Sequence, residues 1–136
     1  MRVKLDEGAY MPTRAHNTDA GIDIYSREEI MIAPGDYGIF HTGVHVEIPE
    51  GCCGMLVSKS GLNINEDLTS TGLIDEGYTG EITVKLYNHG TWYHRIEKGQ
   101  KISQLVILPV RYEEICLASE IKGGERGDAG LGSTGK

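Results

Sequence analysis

The stretch Val44-His-Val-Glu-Ile48-Pro-Glu-Gly51-Cys-Cys-Gly-Met55-Leu-Val57 decides the fold. Apolar and polar residues alternate through Val44, Val46 and Ile48, Pro49-Glu50-Gly51 supplies turn chemistry, and Met55 and Val57 resume the alternation. Successive side chains on a strand point to opposite faces, so a period of two marks a half-buried strand. The pattern continues outward in both directions. Val3/Leu5, Ile22/Ile24 and Ile30/Ile32 precede it, and Ile82/Val84/Leu86 and Ile102/Leu105/Val106/Ile107 follow. Turn signals at Pro34-Gly35, His89-Gly90 and Lys98-Gly99 separate the runs. Short strands at a spacing of roughly 8–12 residues predict an all-β sandwich or barrel. Helical periodicity is scarce. Residues 63–68 could make one helical turn, and residues 111–122 read either as a helix through Ile115, Ala118 and Ile121 or as a last strand through Ile115 and Leu117.

The chain has 136 residues, the size of one domain able to bury a core without disulfides. Its 20 acidic and 13 basic residues give a net charge of −7, which argues against charge-driven nucleic-acid binding. The apolar runs are too short to span a bilayer, and Met-Arg-Val-Lys-Leu-Asp lacks a signal-peptide stretch. Cys52, Cys53 and Cys116 form no disulfide framework and no metal-ligand spacing. These features predict a reduced, cytoplasmic protein. After Ser119 the composition changes: the last 14 residues hold six of the 19 glycines and one large apolar side chain, Leu131. Such a segment cannot build core and reads as a mobile arm. It is either a solvated tail or a strap whose N–H groups close over phosphates. Gly130-Leu-Gly-Ser-Thr-Gly-Lys136 imitates the start of a P-loop, but no strand leads into it and no helix follows to hold the phosphate.

Two acids stand out. Asp23 interrupts the apolar alternation of Gly21-Ile-Asp-Ile-Tyr25; it either faces water or helps hold a hard cation such as Mg²⁺. Asp75 lies in Gly72-Leu-Ile-Asp-Glu-Gly-Tyr78-Thr-Gly80, which looks like a tight hairpin. It is either a turn former or a rigidly placed general base. Tyr78 is hairpin packing or a flat face for a sugar or base. Ser58-Lys-Ser-Gly61 puts small hydroxyls and a cation at a strand end, and Gln104 carries an amide that needs a partner. The histidines form no metal array, although His41 and His45 would share one face of a strand. No G-x-S-x-G elbow is present.

Five segments in order resemble the trimeric dUTPases. They are Asp19-Ala-Gly-Ile-Asp-Ile-Tyr-Ser26, Ser58-Lys-Ser-Gly-Leu62, Gly72-Leu-Ile-Asp-Glu-Gly-Tyr-Thr-Gly-Glu-Ile82, Lys98-Gly-Gln-Lys-Ile-Ser-Gln-Leu105 and Arg126-Gly-Asp-Ala-Gly-Leu-Gly-Ser-Thr-Gly135. The resemblance implies an all-β, jelly-roll-like distorted barrel with at most one short helix. It implies a core over residues 1–118 and a flexible arm over 119–136 that closes on a neighbouring subunit. It further implies a homotrimer with shared sites that hydrolyses dUTP to dUMP and pyrophosphate with Mg²⁺, with no membrane or direct nucleic-acid partner. On that resemblance Asp75 would orient the attacking water, and Tyr78 would stack under deoxyribose and exclude a 2′-hydroxyl. Gly72 and Leu73 through to Ile82 would read uracil with main-chain groups. Asp23 would hold Mg²⁺ through water. Lys59, Ser60, Gly61 and Gln104 would meet the α- and β-phosphates, while Arg126, Gly132, Ser133 and Thr134 would close on the γ-phosphate and Leu131 would cover the base.

The chain departs from the family pattern in places. Lys59 and Lys101 stand where the family usually has arginine, which loses the bidentate fork. Leu131 replaces an aromatic, and Asp128 and Ala129 replace more glycine-like positions. The related dCTP deaminases carry a glutamate where Lys85 stands, so deamination is disfavoured. A third reading is a non-catalytic trimeric, partner-binding protein.

Overall fold

A computed structural model describes residues 1–124 and Gly127. Eleven strands and one helix follow in chain order: β1 (Val3–Leu5), β2 (Ile22–Tyr25), β3 (Ile30–Ile32), β4 (Tyr37–His41), β5 (Val44–Val46), β6 (Cys52–Val57), α1 (Ser60–Glu66), β7 (Leu68–Thr69), β8 (Thr71–Ile74), β9 (Thr83–Asn88), β10 (His94–Ile96) and β11 (Lys101–Pro109). The period-two reading holds in β5, where Val44 and Val46 are buried, and in β9, where Val84 and Leu86 are buried between exposed Thr83 and Tyr87. It fails in β6: Gly54 and Leu56 are buried and Met55 is exposed, so Met55 and Val57 lie off the core face, because the glycine at 54 hides the inward set. β4, with Gly38 and Phe40 buried between exposed Tyr37, Ile39 and His41, is not among the expected strands. The inward set, led by Phe40, Ile24, Ile32, Leu68, Ile82, Leu86, Ile96, Ile102 and Leu105, forms one core. Burying each such side chain contributes about 1.5–3 kcal/mol before entropy is counted.

All ladders are antiparallel. A four-stranded sheet runs β2-β11-β6-β8, a three-stranded sheet β4-β9-β7, and β1-β5 and β10-β3 make two-stranded pairs. The arrangement is jelly-roll-like, but among the described residues no ladder closes it into a barrel, because short strands leave one sheet and enter another.

Four local expectations change. Residues 72–82 are not a hydrogen-bonded hairpin: β8 pairs with β6 and β9 with β4 and β7, so a turn at Asp75–Tyr78 carries the chain between sheets. His41 and His45 lie on different strands, separated at Thr42-Gly43. The helix begins at Ser60, not Asn63, and ends at Asp67 in the left-handed region (φ 52°). Gly61 and the lack of a side-chain cap concealed its start, and Leu68 belongs to β7. Beyond Val110, whose N–H donates to the Gly51 carbonyl, residues 111–124 are exposed, with neither the helix nor the strand expected there.

Candidate functional site

The centre of the four-stranded sheet holds the first group of candidate residues. Gln104 in β11 stands opposite Asp23 in β2 on one side and Val57 in β6 on the other. Two residues past Val57, Lys59 adopts an extended backbone at the entrance to α1 and sends its side chain back across the sheet. Its Nζ lies 2.7 Å from Asp23 Oδ1, Gln104 Nε2 donates to the same oxygen at 3.1 Å, and Lys101 Nζ lies 2.7 Å from Oδ2. Lys101 and Gln104 are three apart and would face opposite sides of a regular strand. A register shift between Lys101 and Ser103 inserts one extra residue and brings both onto the Asp23 face. Beneath them, Ser103 Oγ donates to the Val57 carbonyl at 3.1 Å and meets Ser70 Oγ at 2.9 Å, pinning the strands that carry the cluster.

Asp23 is buried, at 3% exposure. Burial pushes its carboxyl up, but the bonds from Lys101, Lys59 and Gln104 outweigh it and hold the group below the usual carboxylate range. The same pairing raises the Lys101 ammonium. Two ammoniums against one carboxylate leave a surplus positive charge, and exposed Ser60 and Gly61 at the start of α1 adjoin it. Such a cluster suits an anion. An ionised carboxylate offers about four acceptor positions. Three are taken here, so the remaining one suits a water of a hydrated cation and not direct coordination. Among the described residues no group of three or more His, Cys, Asp and Glu side chains could hold a metal by itself.

The second group surrounds a cavity of about 310 Å³ at the end of β8, lined by Leu73, Ile74, Asp75, Tyr78, Glu81 and Thr83. Asp75 opens the turn, and its carbonyl accepts the Tyr78 N–H at 3.2 Å. Gly77 takes φ +82°, a conformation that L side chains rarely adopt. The Tyr78 ring folds back over Gly80, and its hydroxyl donates to the Glu81 carbonyl at 3.2 Å. A Cβ on Gly80 would stand 2.2 Å from the Tyr78 hydroxyl, so only glycine admits the ring there. Gly72 and Leu73 lie on β8, the outer strand of its sheet, so alternate main-chain groups there have no strand partner.

Ile82 differs from expectation. It is fully buried, its N–H donates to the Val44 carbonyl at 2.7 Å, and its carbonyl accepts the Thr42 hydroxyl at 2.5 Å. It supplies packing and leaves no free N–H for a base. The two groups also do not meet within one chain. Ile74 pairs with Gly54 while Gln104 pairs with Val57, so Asp75 is displaced four residues along the sheet, about 13 Å. Arg126, Leu131, Gly132, Ser133 and Thr134 lie outside the described residues. Sequence reading passed over Lys101 as a second partner of Asp23 and Glu81 as a wall of the cavity. Lys101 sits in a quoted motif, but the shift that turns it toward Asp23 leaves no mark in the composition.

Residues 7–135 match a family model described as dUTPase. The chain is 41% identical to a deoxyuridine 5′-triphosphate nucleotidohydrolase of Clostridium tetani, covering 100% of this chain and 97% of the relative. It is 40% identical to the protein of that description from Alkaliphilus metalliredigens, covering 97% and 94%. Among solved structures, the dUTPase of Staphylococcus bacteriophage 80alpha with dUPNHPP superposes with a TM-score of 0.92 at 35% identity, over 99% and 98% of the two chains. A mutant dUTPase from phage phi11 of S. aureus, described with a structural Mg(II) ion, gives a TM-score of 0.81 at 33% identity, over 88% and 96%.

Proposed function

The chain belongs to the dUTPase family and hydrolyses dUTP, and from that premise we propose how its residues divide the work. Asp75 is the base: it orients water toward the α-phosphorus from the first position of a turn that fixes its backbone. Tyr78, held against Gly80, stacks under deoxyribose and leaves no room for a 2′-hydroxyl. The unpaired main-chain edge of Gly72 and Leu73 reads uracil. Lys59, Lys101, Gln104, Ser60 and Gly61 bind the α- and β-phosphates and offset the charge that develops as pyrophosphate leaves. Arg126, Gly132, Ser133 and Thr134 close on the γ-phosphate, and Leu131 covers the base.

The residues fit a hydrated Mg²⁺ accompanying the substrate: Asp23, with one acceptor position left, would accept from one of the ion's waters. When bound it neutralises phosphate charge and orients the α-phosphorus. Lys59 and Lys101 then shift part of their pairing from Asp23 to phosphate.

The working unit is a homotrimer with shared sites, with residues 1–118 as core and 119–136 as arm. Two observations support a shared site: the separation of Asp75 from the lysine cluster, and the exposed Ile115, Leu117 and Ile121, which bury nothing within their own chain. No helix among the described residues is long and apolar enough to cross a membrane, and Cys52, Cys53 and Cys116 are free, which supports a cytoplasmic setting.

A deaminase-like reading fails on Lys85. Its Nζ lies 3.6 Å from the Tyr37 ring centre, so the position holds a cation stacked on aromatics and no carboxylate. The single observation that carries the proposal is Asp75 and Tyr78 lining one cavity. Pyrophosphate release by Asp75→Asn tests it. Turnover should fall by about three orders of magnitude with binding of a non-hydrolysable dUTP analogue retained; an unchanged rate removes Asp75 from the mechanism.

A further inference from the structure

His45 lies on β5 beside the loop that follows Tyr78. Its Nδ1 is 2.8 Å from the Thr79 carbonyl oxygen and its Nε2 is 3.2 Å from Asp6 Oδ2. A carbonyl has no proton to give, and the bond to His45 heads the interactions that hold the Asp6 carboxyl below the usual range. Both ring nitrogens therefore face acceptors. Only the doubly protonated ring has two N–H groups, whereas either neutral tautomer leaves one pair of acceptors facing each other.

We propose that His45 is a positioning residue for the dUTP pocket: as imidazolium it ties the Thr79–Gly80 loop to Asp6 of the N-terminal segment, and loss of its proton releases that loop and weakens dUTP binding. The proposal rests on reading the Asp75–Tyr78 cavity as the nucleotide site. The lever is short, because Thr79 is bonded directly to Tyr78 and Gly80, the residues whose contact fixes the tyrosine ring. The N-terminal anchor is itself fixed, since the Asp6 N–H donates to the Gly43 carbonyl at 2.9 Å.

The surrounding charges come from several elements. Asp6 and Glu81 favour the imidazolium. Lys4, 3.7 Å from Asp6, opposes it, as does the Arg27 guanidinium packed against Gly43. Glu81 is itself shared, accepting the Gly43 N–H at 2.9 Å and lying 2.9 Å from His41 Nδ1. Arg2, just before β1, and Glu47, just after β5, pair with each other and cancel. The Thr79 carbonyl first, and Asp6 second, raise the His45 pKa above its ordinary value. A group raised on folding holds its contacts fully below the ordinary histidine value of about 6.5 and loses them as pH climbs through the higher folded value.

The test is kcat and KM for dUTP across pH 5.5 to 9 for the wild type, His45→Gln and Asp6→Asn, together with NMR titration of the His45 ring in the full chain. Wild-type KM should rise about 3- to 10-fold across the His45 titration. His45→Gln should start near the wild-type high-pH KM and show only the drift that substrate γ-phosphate imposes on every variant, with kcat changed less than about 2-fold. Asp6→Asn keeps the ring but removes its carboxylate, and should move both the NMR midpoint and the KM rise to lower pH. It also keeps the idea testable if His45→Gln folds poorly. Parallel KM profiles for wild type and His45→Gln, or a KM rise unmoved in Asp6→Asn, overturn the coupling while leaving the pocket assignment standing. A wild type that turns over dUTP but loses nothing on Asp75→Asn overturns the pocket assignment, and the coupling with it.

Discussion

Replacing Gly80 by alanine would push a methyl group into the Tyr78 ring without straining the backbone. The added Cβ would stand 2.2 Å from the Tyr78 hydroxyl, 2.4 Å from Cζ and 2.9 Å from Cε2. Ordinary contact begins near 3.4 Å, so the ring must retreat by about 1.2 Å. Tyr78 is 47% exposed and has room to swing outward, so the fold should survive. The damage falls on the pocket, where a displacement of about 1 Å can cost 100-fold in rate. We expect kcat/KM for dUTP to fall about 10- to 100-fold, or about 1.4–2.7 kcal/mol of transition-state stabilisation. Preference for dUTP over UTP should shrink, because the displaced ring no longer fills the space of a 2′-hydroxyl. Gly77→Ala is the matched control: φ is +82° with open space around it, so the penalty is backbone strain of about 1–2 kcal/mol, read as a lower urea midpoint with the nucleotide preference kept. Competitive turnover of dUTP and UTP measures both. Undiminished preference in Gly80→Ala, or an equal loss in Gly77→Ala, would refute the claim that contact with Gly80 places the ring.

Asp23→Asn should destabilise the protein by about 1–3 kcal/mol at pH 7, discounted from a fully buried pair because the Lys59 and Lys101 side chains are 23% and 40% exposed. The Asp23 carboxyl is depressed, so its contribution is present above the unfolded value of about 3.9 and is lost as pH falls through the lower folded one; the gap between the urea midpoints of wild type and variant should narrow as pH falls below the unfolded value, and a constant gap would sink the assignment. Deleting residues 123–136 removes no residue of the described core and should leave a folded trimer with severely reduced turnover, measured by sedimentation and pyrophosphate release; full activity would refute the role of the arm.

Most strands were legible because a half-buried sheet writes its period directly into the sequence, as buried Val84 and Leu86 against exposed Thr83 and Tyr87 illustrate, whereas β4 was missed because its inward Gly38 carries no apolar side chain. The separate sheets of β8 and β9 were not, because Asp75-Glu-Gly77 satisfies a turn whether or not the flanking strands pair. The clustering of Asp23, Lys101 and Gln104 was hidden for a different reason. It depends on one residue inserted into the β11 ladder, and Ile102 is as apolar in an irregular register as in a regular one. Motifs could name Asp23 and Gln104, but a bulge had to bring Lys101 to the same face. The Tyr78–Gly80 contact was not legible, since what demands glycine is the path of a ring and not the backbone angle of the glycine itself.

The distance between the two groups has an electrostatic reason. A general base must stay ionised and unpaired to draw a proton from water, while phosphate sites need surplus cations. Close together in a ligand-free pocket, the carboxylate and the ammoniums would pair, as Asp23 already does with Lys59 and Lys101. Placing Asp75 about 13 Å along the sheet from that cluster keeps its carboxylate clear of the lysines of its own chain. The proposed shared site, joining the Asp75 turn of one copy to the lysine cluster of another, would bring base and cations together across the substrate and not in direct contact. On the proposed division of roles, Asp23 would hold the two lysines in a state that a polyphosphate can take over, and Asp75 would remain available for water.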